Sequence, residues 1–173
     1  MSSAPSSSGG SDRLLAPPGA CAGDQAAAAG PDAEQQTMTC LVNYARSKGG
    51  LKPLRSSAAL VAAGQLRLAA SVRCNTLSHD ACGEPFEAVF RRSGYLTGAV
   101  HFVLGENLGW GQGELGSPRA LMQAWLRSPP HRANLLRPVF RELGVAVLDS
   151  NSFLGYQGVE LWATEFGSRR PGR

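Results

Sequence analysis

The chain has 173 residues, a formal net charge of +4 and four cysteines, and 43% of its residues are hydrophobic. This length suits one domain with a substantial core, and recurring bulky apolar residues exclude a wholly disordered chain. No run reaches the roughly 18–20 apolar residues that a transmembrane helix needs, so we expect no transmembrane segment.

The positive charge does not indicate a nucleic-acid partner. The bases are fifteen Arg and two Lys, and Ile is absent, a bias typical of GC-rich genomes. No basic run of about five to eight residues occurs, and no aromatic residues alternate with bases. The charge therefore follows from codon usage and from three Arg near the C-terminus.

Residues 1–36 are predicted to form a flexible segment. They are rich in Ser, Gly, Ala, Pro and Gln, and all twelve aromatic residues lie from Tyr44 onward, so they offer little apolar area to bury. Cys21 is their expected anchor. The start lacks the basic and apolar regions of a signal peptide, so in an exported protein that peptide is missing here. The domain is predicted over residues 37–167, with a basic tail over 168–173.

Helical spacing dominates the first part of the domain. Residues 37–48 have apolar residues on one face and end at Gly49-Gly50. Ser57 and Ser117 are good N-caps, and Pro118 suits a first helical turn. The predicted helices cover residues 37–48, 57–73, 85–94, 118–127 and 133–136.

Alternating apolar residues indicate strands near the C-terminus. Residues 143–147 and 159–166 are predicted strands separated by a turn at 149–152, and residues 101–104 are a third candidate. The glycines around Glu106 in residues 105–111 indicate tight turns or close backbone approach, and residues 109–113 are interpreted as a loop. Helices followed by neighbouring antiparallel strands predict a layered α+β fold.

Four cysteines allow three pairings. Cys74 and Cys82 are close in sequence, so the economical pairing joins them and leaves Cys21 with Cys40. Each bridge would be worth about 2–3 kcal/mol in the chain-entropy model. The alternative is that the thiols are free or bind a metal. The sequence has no C-x-x-C or similar close pair, which disfavours a cysteine zinc site, so disulfides and export are favoured.

Two histidines and one acid are candidates for chemistry. His79 and His131 lie in unusual settings, and glycines surround Glu106 between them. Two imidazoles and a carboxylate can bind a divalent cation or transfer protons if the fold brings them together. A structural or surface role for each His stays open. No H-E-x-x-H, G-x-S-x-G or phosphate-binding glycine motif occurs.

Several motifs in order resemble a known family. They are LVNYAR at 41–46, GLKPL at 50–54, LSH at 77–79, GENL at 105–108, AWLRSPPHRANLL at 124–136, FRELGVAV at 140–147 and WATEFG at 162–167. Together they resemble the CAP superfamily, the SCP domain of cysteine-rich secretory, antigen 5 and pathogenesis-related proteins. The likeness is greatest to its secreted bacterial branch, especially in GC-rich actinobacteria.

This resemblance implies a three-layer α-β-α sandwich with a central antiparallel sheet and a cleft. In the fuller family pattern two His and two Glu line the cleft, and His79, Glu106 and His131 match three of them. Ser128 stands where the second Glu is expected, and Pro130 stands where the bacterial motif usually has Gly. Four further residues are expected to support the site or the fold: Glu142, Arg132, Asn107 and Asn134.

The resulting functional expectation is a secreted, monomeric binding module. His79, His131 and Glu106 would bind a divalent cation, Zn²⁺ first, and a nearby apolar surface would take a lipid or other small amphiphile. The alternative is a peptidase- or esterase-like hydrolase in which these three residues supply acid–base or metal–water chemistry. A third interpretation is an interaction domain with a vestigial cleft.

Overall fold

The computed structural model describes residues 13–172. Its elements are five helices and four strands, with two short 3₁₀ turns at Ala81–Gly83 and Gly113–Gly116. The helices are α1 (Pro31–Lys48), α2 (Ala58–Arg73), α3 (Ala88–Arg92), α4 (Pro118–Arg127) and α5 (Pro129–Leu135), and the strands are β1 (Arg55–Ser56), β2 (Ala99–Gln112), β3 (Glu142–Phe153) and β4 (Tyr156–Pro171).

The strands form one sheet in the order β1-β3-β4-β2. The pairs β3–β4 and β4–β2 are antiparallel, and the two-residue β1 runs parallel to β3. One apolar cluster joins the sheet to α1, α4 and α5, and two others join the sheet to α2 and α3. The predicted α-β-α sandwich with a largely antiparallel central sheet is therefore confirmed.

Alternation along β3 explains the two packing faces. Leu143, Val145 and Val147 belong to the cluster that includes α1 and α4, whereas Ala146 belongs to the cluster beneath α2. On that second face α2 lies unusually close to the sheet, because a Cβ added to Gly64 would stand 2.8 Å from the Ala146 methyl group. Small residues thus let α2 pack directly on the strand.

Residues 105–112 form the second half of β2, so the predicted turns and the loop at 109–113 are wrong for most of this length, whereas the predicted close backbone approach is confirmed. A Cβ on Gly105 would stand 2.6 Å from Phe140, and one on Gly109 would stand 2.5 Å from Leu121. These glycines make room for aromatic and aliphatic side chains packed on the strand. Only Gly113, at φ 53°, takes the turn conformation.

The hairpin between β3 and β4 is longer than predicted. Residues 149–152 continue β3, and the chain reverses at Leu154 and Gly155, whose φ angles are positive. The predicted basic tail continues β4 as far as Pro171, because Arg170 and Arg169 pair with His101 and Phe102 of β2. Arg173 lies outside the described residues.

The segment before α1 packs on the domain at more points than the predicted Cys21 anchor. Ala16, Cys21 and Asp24 are buried, and the Asp24 carboxylate accepts a hydrogen bond of 2.9 Å from Arg119. Helix α1 begins at Pro31 instead of residue 37, because Pro suits the first turn and two acids there favour the positive helix end. Residues 1–12 of the predicted flexible segment lie outside the described residues.

Predicted caps and disulfides agree with the structure. Ser57 caps α2 and Ser117 caps α4 through their hydroxyl oxygens. Helix α3 is shorter than the predicted 85–94, and α5 begins at Pro129 instead of 133. The disulfides join Cys21 to Cys40 and Cys74 to Cys82. Within residues 13–172, no helix has the length and hydropathy to cross a bilayer.

Candidate functional site

A buried ion pair holds one of the candidate histidines. Arg67 Nε donates to Glu106 Oε2 at 2.8 Å, and Glu106 Oε1 lies 2.5 Å from His79 Nδ1. The Arg67 and Glu106 side chains are completely buried, whereas the His79 side chain is 58% exposed. The carboxylate therefore connects the protein interior to an imidazole at the surface.

The fold brings these three residues together from separate elements. Arg67 lies on the sheet-facing side of α2, and Glu106 lies on β2 beneath it. Arg67 Nη2 also donates to the Phe86 carbonyl at 2.8 Å, so the guanidinium joins α2, β2 and the segment before α3. His79 follows α2 in the loop closed by the Cys74–Cys82 disulfide, which restrains the backbone beside it.

A second carboxyl group lies beneath this site. Glu165 on β4 is directly opposite Glu106 on β2, and its side chain is fully buried. No donor from another described residue reaches either Glu165 oxygen. Burial, followed by the charge of Glu106, raises the pKa of Glu165 well above its ordinary value. The raised pKa favours the uncharged form of Glu165 beneath the Arg67–Glu106 ion pair.

The second candidate histidine is held from α5. His131 Nδ1 lies 2.8 Å from Ser128 Oγ, within one turn of the helix. Ser128 stands in the position of the expected second Glu, so a hydroxyl group fixes this ring where a carboxylate was expected. Nε2 is the remaining nitrogen of both His79 and His131.

Two asparagines attach α5 to β2 and so set the position of His131. Asn107 Nδ2 donates to the His131 carbonyl at 3.1 Å. Asn134 Nδ2 donates to the Glu106 carbonyl and to Asn107 Oδ1, both at 3.0 Å. Helices α2 and α5 belong to apolar clusters on opposite faces of the sheet, and both contact the edge strand β2, so His79 and His131 lie near the same edge.

The pKa values of the two imidazoles are shifted in opposite directions. The hydrogen bond to Glu106 raises the pKa of His79, although its partial burial opposes that shift. Burial, followed by the positive charge of His79, lowers the pKa of His131. Over an interval near neutral pH, therefore, His79 carries a proton while His131 is neutral and basic.

Other predicted residues lie in different surroundings. Glu142 accepts a hydrogen bond of 2.8 Å from the Tyr95 hydroxyl and lies 3.8 Å from Arg169, so it serves the far end of the sheet. Arg132 is half-buried on α5 beside His131. Both oxygens of Glu106, one of the three predicted metal ligands, are engaged by Arg67 and His79.

Sequence reasoning missed Arg67 and Glu165. The available signal was a charged residue at a position where the apolar periodicity of the segment predicts burial. Arg67 follows Leu60 and Ala63 on the buried face of α2, and Glu165 follows Leu161 and Ala163 on one face of β4. The sheet register pairs residue 165 with residue 106, and Arg67 reaches Glu106 from α2. Both contacts are tertiary, so the sequence alone does not display them.

The described residues contain no grouped set of metal ligands at this edge. Across residues 13–172, no three His, Cys, Asp or Glu side chains are grouped as ligands around one metal position. A carboxylate on the other nitrogen, as at His79, is a common arrangement behind metal-binding histidines.

Comparisons with known proteins identify the fold. A crystal structure of an SCP-domain extracellular protein from Bacillus anthracis aligns with TM-score 0.62 and 24% identity, over 79% of this chain and 40% of that chain. An outer surface protein from Borrelia burgdorferi aligns with TM-score 0.64 and 18% identity, over 77% and 90%. A cysteine-rich secretory protein from Staphylococcus aureus aligns with TM-score 0.58 and 18% identity, over 81% and 40%.

Sequence comparison points to the same group. The uncharacterized protein YkwD of Bacillus subtilis is 28% identical over 136 residues, which are 78% of this chain and 47% of that protein. The chain thus spans about half the length of this curated relative. None of these organisms is an actinobacterium, so the likeness to that branch stays a prediction. Residues 40–162 match the sequence profile of the cysteine-rich secretory protein family. The chain belongs to this family, the CAP superfamily.

Proposed function

We propose that the chain is an extracellular binding module whose cleft binds a divalent cation, Zn²⁺ first, through Nε2 of His79 and Nε2 of His131. The observation that carries this proposal is that each ring is fixed through Nδ1, by Glu106 or by Ser128. A ring held at Nδ1 presents Nε2 in one orientation, which lowers the entropic cost of coordination. Water or a ligand oxygen completes the coordination shell.

Glu106 is a positioning residue in this proposal. Its carboxylate increases the basicity of His79, which strengthens a bond from Nε2 to a cation. The same carboxylate also raises the pKa of His79, so a proton competes with the cation at that ring. Cation binding is therefore expected to be stronger at pH 8 than at pH 6.

Two observations support an extracellular setting. The chain has two disulfides and, among the described residues, no free cysteine. Disulfides persist in oxidising compartments and are rare in the cytosol. A structural neighbour is named an extracellular protein and another an outer surface protein.

Calorimetric titration with Zn²⁺ tests the cation site. His79→Ala and His131→Ala should each weaken binding at least about tenfold, and Ser128→Ala should weaken it by a smaller factor, because it only frees the His131 ring. His101→Ala is the matched control, since His101 is the third histidine of the chain and is exposed on β2. Zn²⁺ affinity that survives the double substitution of His79 and His131 would contradict the proposal.

A small amphiphile is the second ligand that we propose for this cleft. Phe86 is half-buried and presents its ring edge-on to His79, with centroids 6.2 Å apart, so an apolar surface borders the polar edge. An amphiphile would place its headgroup at the cation and its chain along Phe86. Fatty-acid binding measured with and without Zn²⁺ should therefore be stronger with the metal, and equal affinities would contradict this placement.

A hydrolase is the alternative candidate, favoured by the opposite pKa shifts of the two histidines. A protonated His79 beside a neutral His131 supplies a general acid and a general base. Turnover of a peptide or ester that disappears in His131→Ala and follows a bell-shaped pH profile would support this activity. Turnover that persists in His131→Ala would exclude this site as its source.

A further inference from the structure

Strand β2 lies at the edge of the sheet, and the register shows which of its residues face the open side. The Leu143 carbonyl of β3 accepts from the Ser57 N–H, away from β4, so Leu143 and its partner Phe166 form a non-hydrogen-bonded pair. Phe166 therefore bonds to Gly105 on its other side. Successive residues of a strand direct their N–H and C=O groups to opposite sides, so the even-numbered residues of β2 face the open edge.

Helical side chains already occupy part of this open edge. The Glu106 carbonyl accepts a hydrogen bond of 3.0 Å from Asn134 of α5. The Leu108 carbonyl accepts one of the same length from the Trp125 indole of α4. Both acceptors are even-numbered, which agrees with the register, and α5 therefore closes the edge from residue 106 onward.

The edge is unpaired at Phe102 and Leu104. Within residues 13–172, no group across the open edge donates to their carbonyls or accepts from their N–H groups. Both residues are only half-buried, and the neighbouring Val100 is 60% exposed at an irregularity in the register. The open stretch comprises residues 101–105, which is roughly 17 Å at about 3.4 Å per residue.

The two faces beside the open stretch differ in chemistry. Phe102 and Leu104 pack with the apolar cluster beneath α2 and α3, whereas Val103 packs with the cluster on the other face. On the face of Val103, the exposed His101 lies opposite the exposed Arg170. An added strand would therefore meet apolar side chains on one face and a positive charge on the other.

We propose that the open stretch binds an extended peptide, which joins the sheet as a further strand beside β2. An extended backbone supplies N–H and C=O groups at the spacing that Phe102 and Leu104 require. Its side chains alternate between the faces, with apolar ones against Phe102 and Leu104 and an acidic one beside Arg170. The contacts use backbone groups of β2, so this proposal does not depend on cation binding by the histidines.

A second copy of the chain fits this edge less well than a peptide. The stretch ends at α5, and the large apolar side chains exposed around it in the described residues are Val100 and Val139. Stable interfaces between proteins bury roughly 1,600 Å² of surface. A stretch of about five residues suits a single flexible strand better.

Amide hydrogen exchange measured by NMR tests the edge itself. In the unmodified chain, the amides of Phe102 and Leu104 should exchange about tenfold or more faster than those of Val103 and Gly105, which bond to β4. The probe is a capped peptide of sequence Thr-Val-Glu-Val-Thr at millimolar concentration. It should slow exchange at Phe102 and Leu104 more than at Val103 and Gly105.

Two N-methylated forms of this peptide are matched controls for strand pairing. One is methylated on the amide nitrogens of both Val residues, and its isomer on those of Glu and the last Thr. Only every second N–H of an added strand faces β2, so the two affinities should differ about tenfold or more. Arg170→Glu should weaken the unmethylated peptide by up to about fivefold, whereas Arg127→Glu, at an exposed position on α4, should not.

The proposal fails on any of three results. Equal affinities of the two N-methylated isomers would exclude backbone pairing. Unchanged exchange at Phe102 and Leu104 in millimolar peptide would exclude a peptide site at this edge. A concentration-dependent dimer in sedimentation that protects the same two amides would assign the edge to a second copy. Thermal unfolding of each variant shows whether its fold is retained.

Discussion

Two buried carboxyl groups of β4, Glu165 and Glu160, each lie beside a second buried acid, but their surroundings differ. Glu165 faces Glu106 beneath α2, where Arg67 supplies a buried positive charge. Glu160 faces Glu34 of α1, where backbone N–H groups of residues 28 and 29 are the nearby donors. In the first pair Glu106 accepts from Arg67 and holds His79, whereas in the second pair burial and the charge of Glu34 raise the pKa of Glu160 without a cation beside it among the described ion pairs. The neighbouring charge thus decides whether a buried acid pair serves a site or only the fold.

Of the tests of this comparison, removal of Arg67 should have the largest effect on stability. Arg67→Met leaves Glu106 buried without its guanidinium and should lower the free energy of unfolding by about 3–5 kcal/mol. Urea denaturation at pH 7 measures the loss. Arg73→Met is the control, because Arg73 is exposed and its pair with Glu84 should contribute less than about 1 kcal/mol. Equal losses in the two variants would contradict the role of Arg67.

The Glu34–Glu160 pair should make stability depend on pH. Burial, followed by the charge of Glu34, raises the pKa of Glu160 to about 8 from an ordinary value of 4.5. Below about pH 4.5 both the folded and the unfolded state hold this proton. Between pH 4.5 and 8 only the folded state holds it, so the free energy of unfolding falls by up to about 1.4 kcal/mol per pH unit.

Glu160→Gln isolates this effect, because an amide can donate to Glu34 at every pH. Unfolding free energies at pH 5, 6, 7 and 8 should fall less steeply in this variant than in the unmodified chain. The slope that remains belongs to Glu165 and His79, whose pKa values are also raised. Glu114→Gln, at an exposed position, should keep the full slope, and a full slope in Glu160→Gln would contradict the raised pKa of Glu160.

The smallest effect should be a change in the pKa of His79, the exposed neighbour of the Glu106–Glu165 pair. Glu106→Gln removes the charge and the strong acceptor that raise the pKa of His79, so that pKa should move back towards 6.5. Titration of the imidazole resonances by NMR measures this change, with His101 as an internal reference. A His79 pKa that stays raised in this variant would assign the shift to a group other than Glu106.

Local signals in the sequence predicted much of the fold. The hydroxyl groups of Ser57 and Ser117 cap helices by accepting backbone N–H groups three residues later. Because these hydrogen bonds are local, residue type and spacing are enough to predict them. The cysteine pairing also follows from short separations. These features depend on neighbours in sequence, which the sequence itself displays.

Features that depend on tertiary contacts were not predictable in the same way. Gly105 and Gly109 left turns and close backbone approach open, and only the structure shows that they lie in a strand where Phe140 and Leu121 occupy the space of a side chain. Nothing local in the sequence connects Arg67 or Glu165 to Glu106, because the sheet register places Glu165 opposite Glu106 and the packing of α2 on the sheet places Arg67 beside it. The sequence identified His79 and His131 as candidates, but only the structure assigns Glu106 to positioning one ring and Ser128 to positioning the other.

The segment before α1 has a consequence for the order of folding. Asp24 reaches Arg119 across 95 positions of the chain, whereas the Cys21–Cys40 bridge spans 19. In an oxidising compartment the short loop should close before the long-range contact forms, because closure of a short loop costs less entropy than closure of a long one. Once the disulfide has formed, the segment moves with α1, and its docking against α4 becomes part of the approach of two helices.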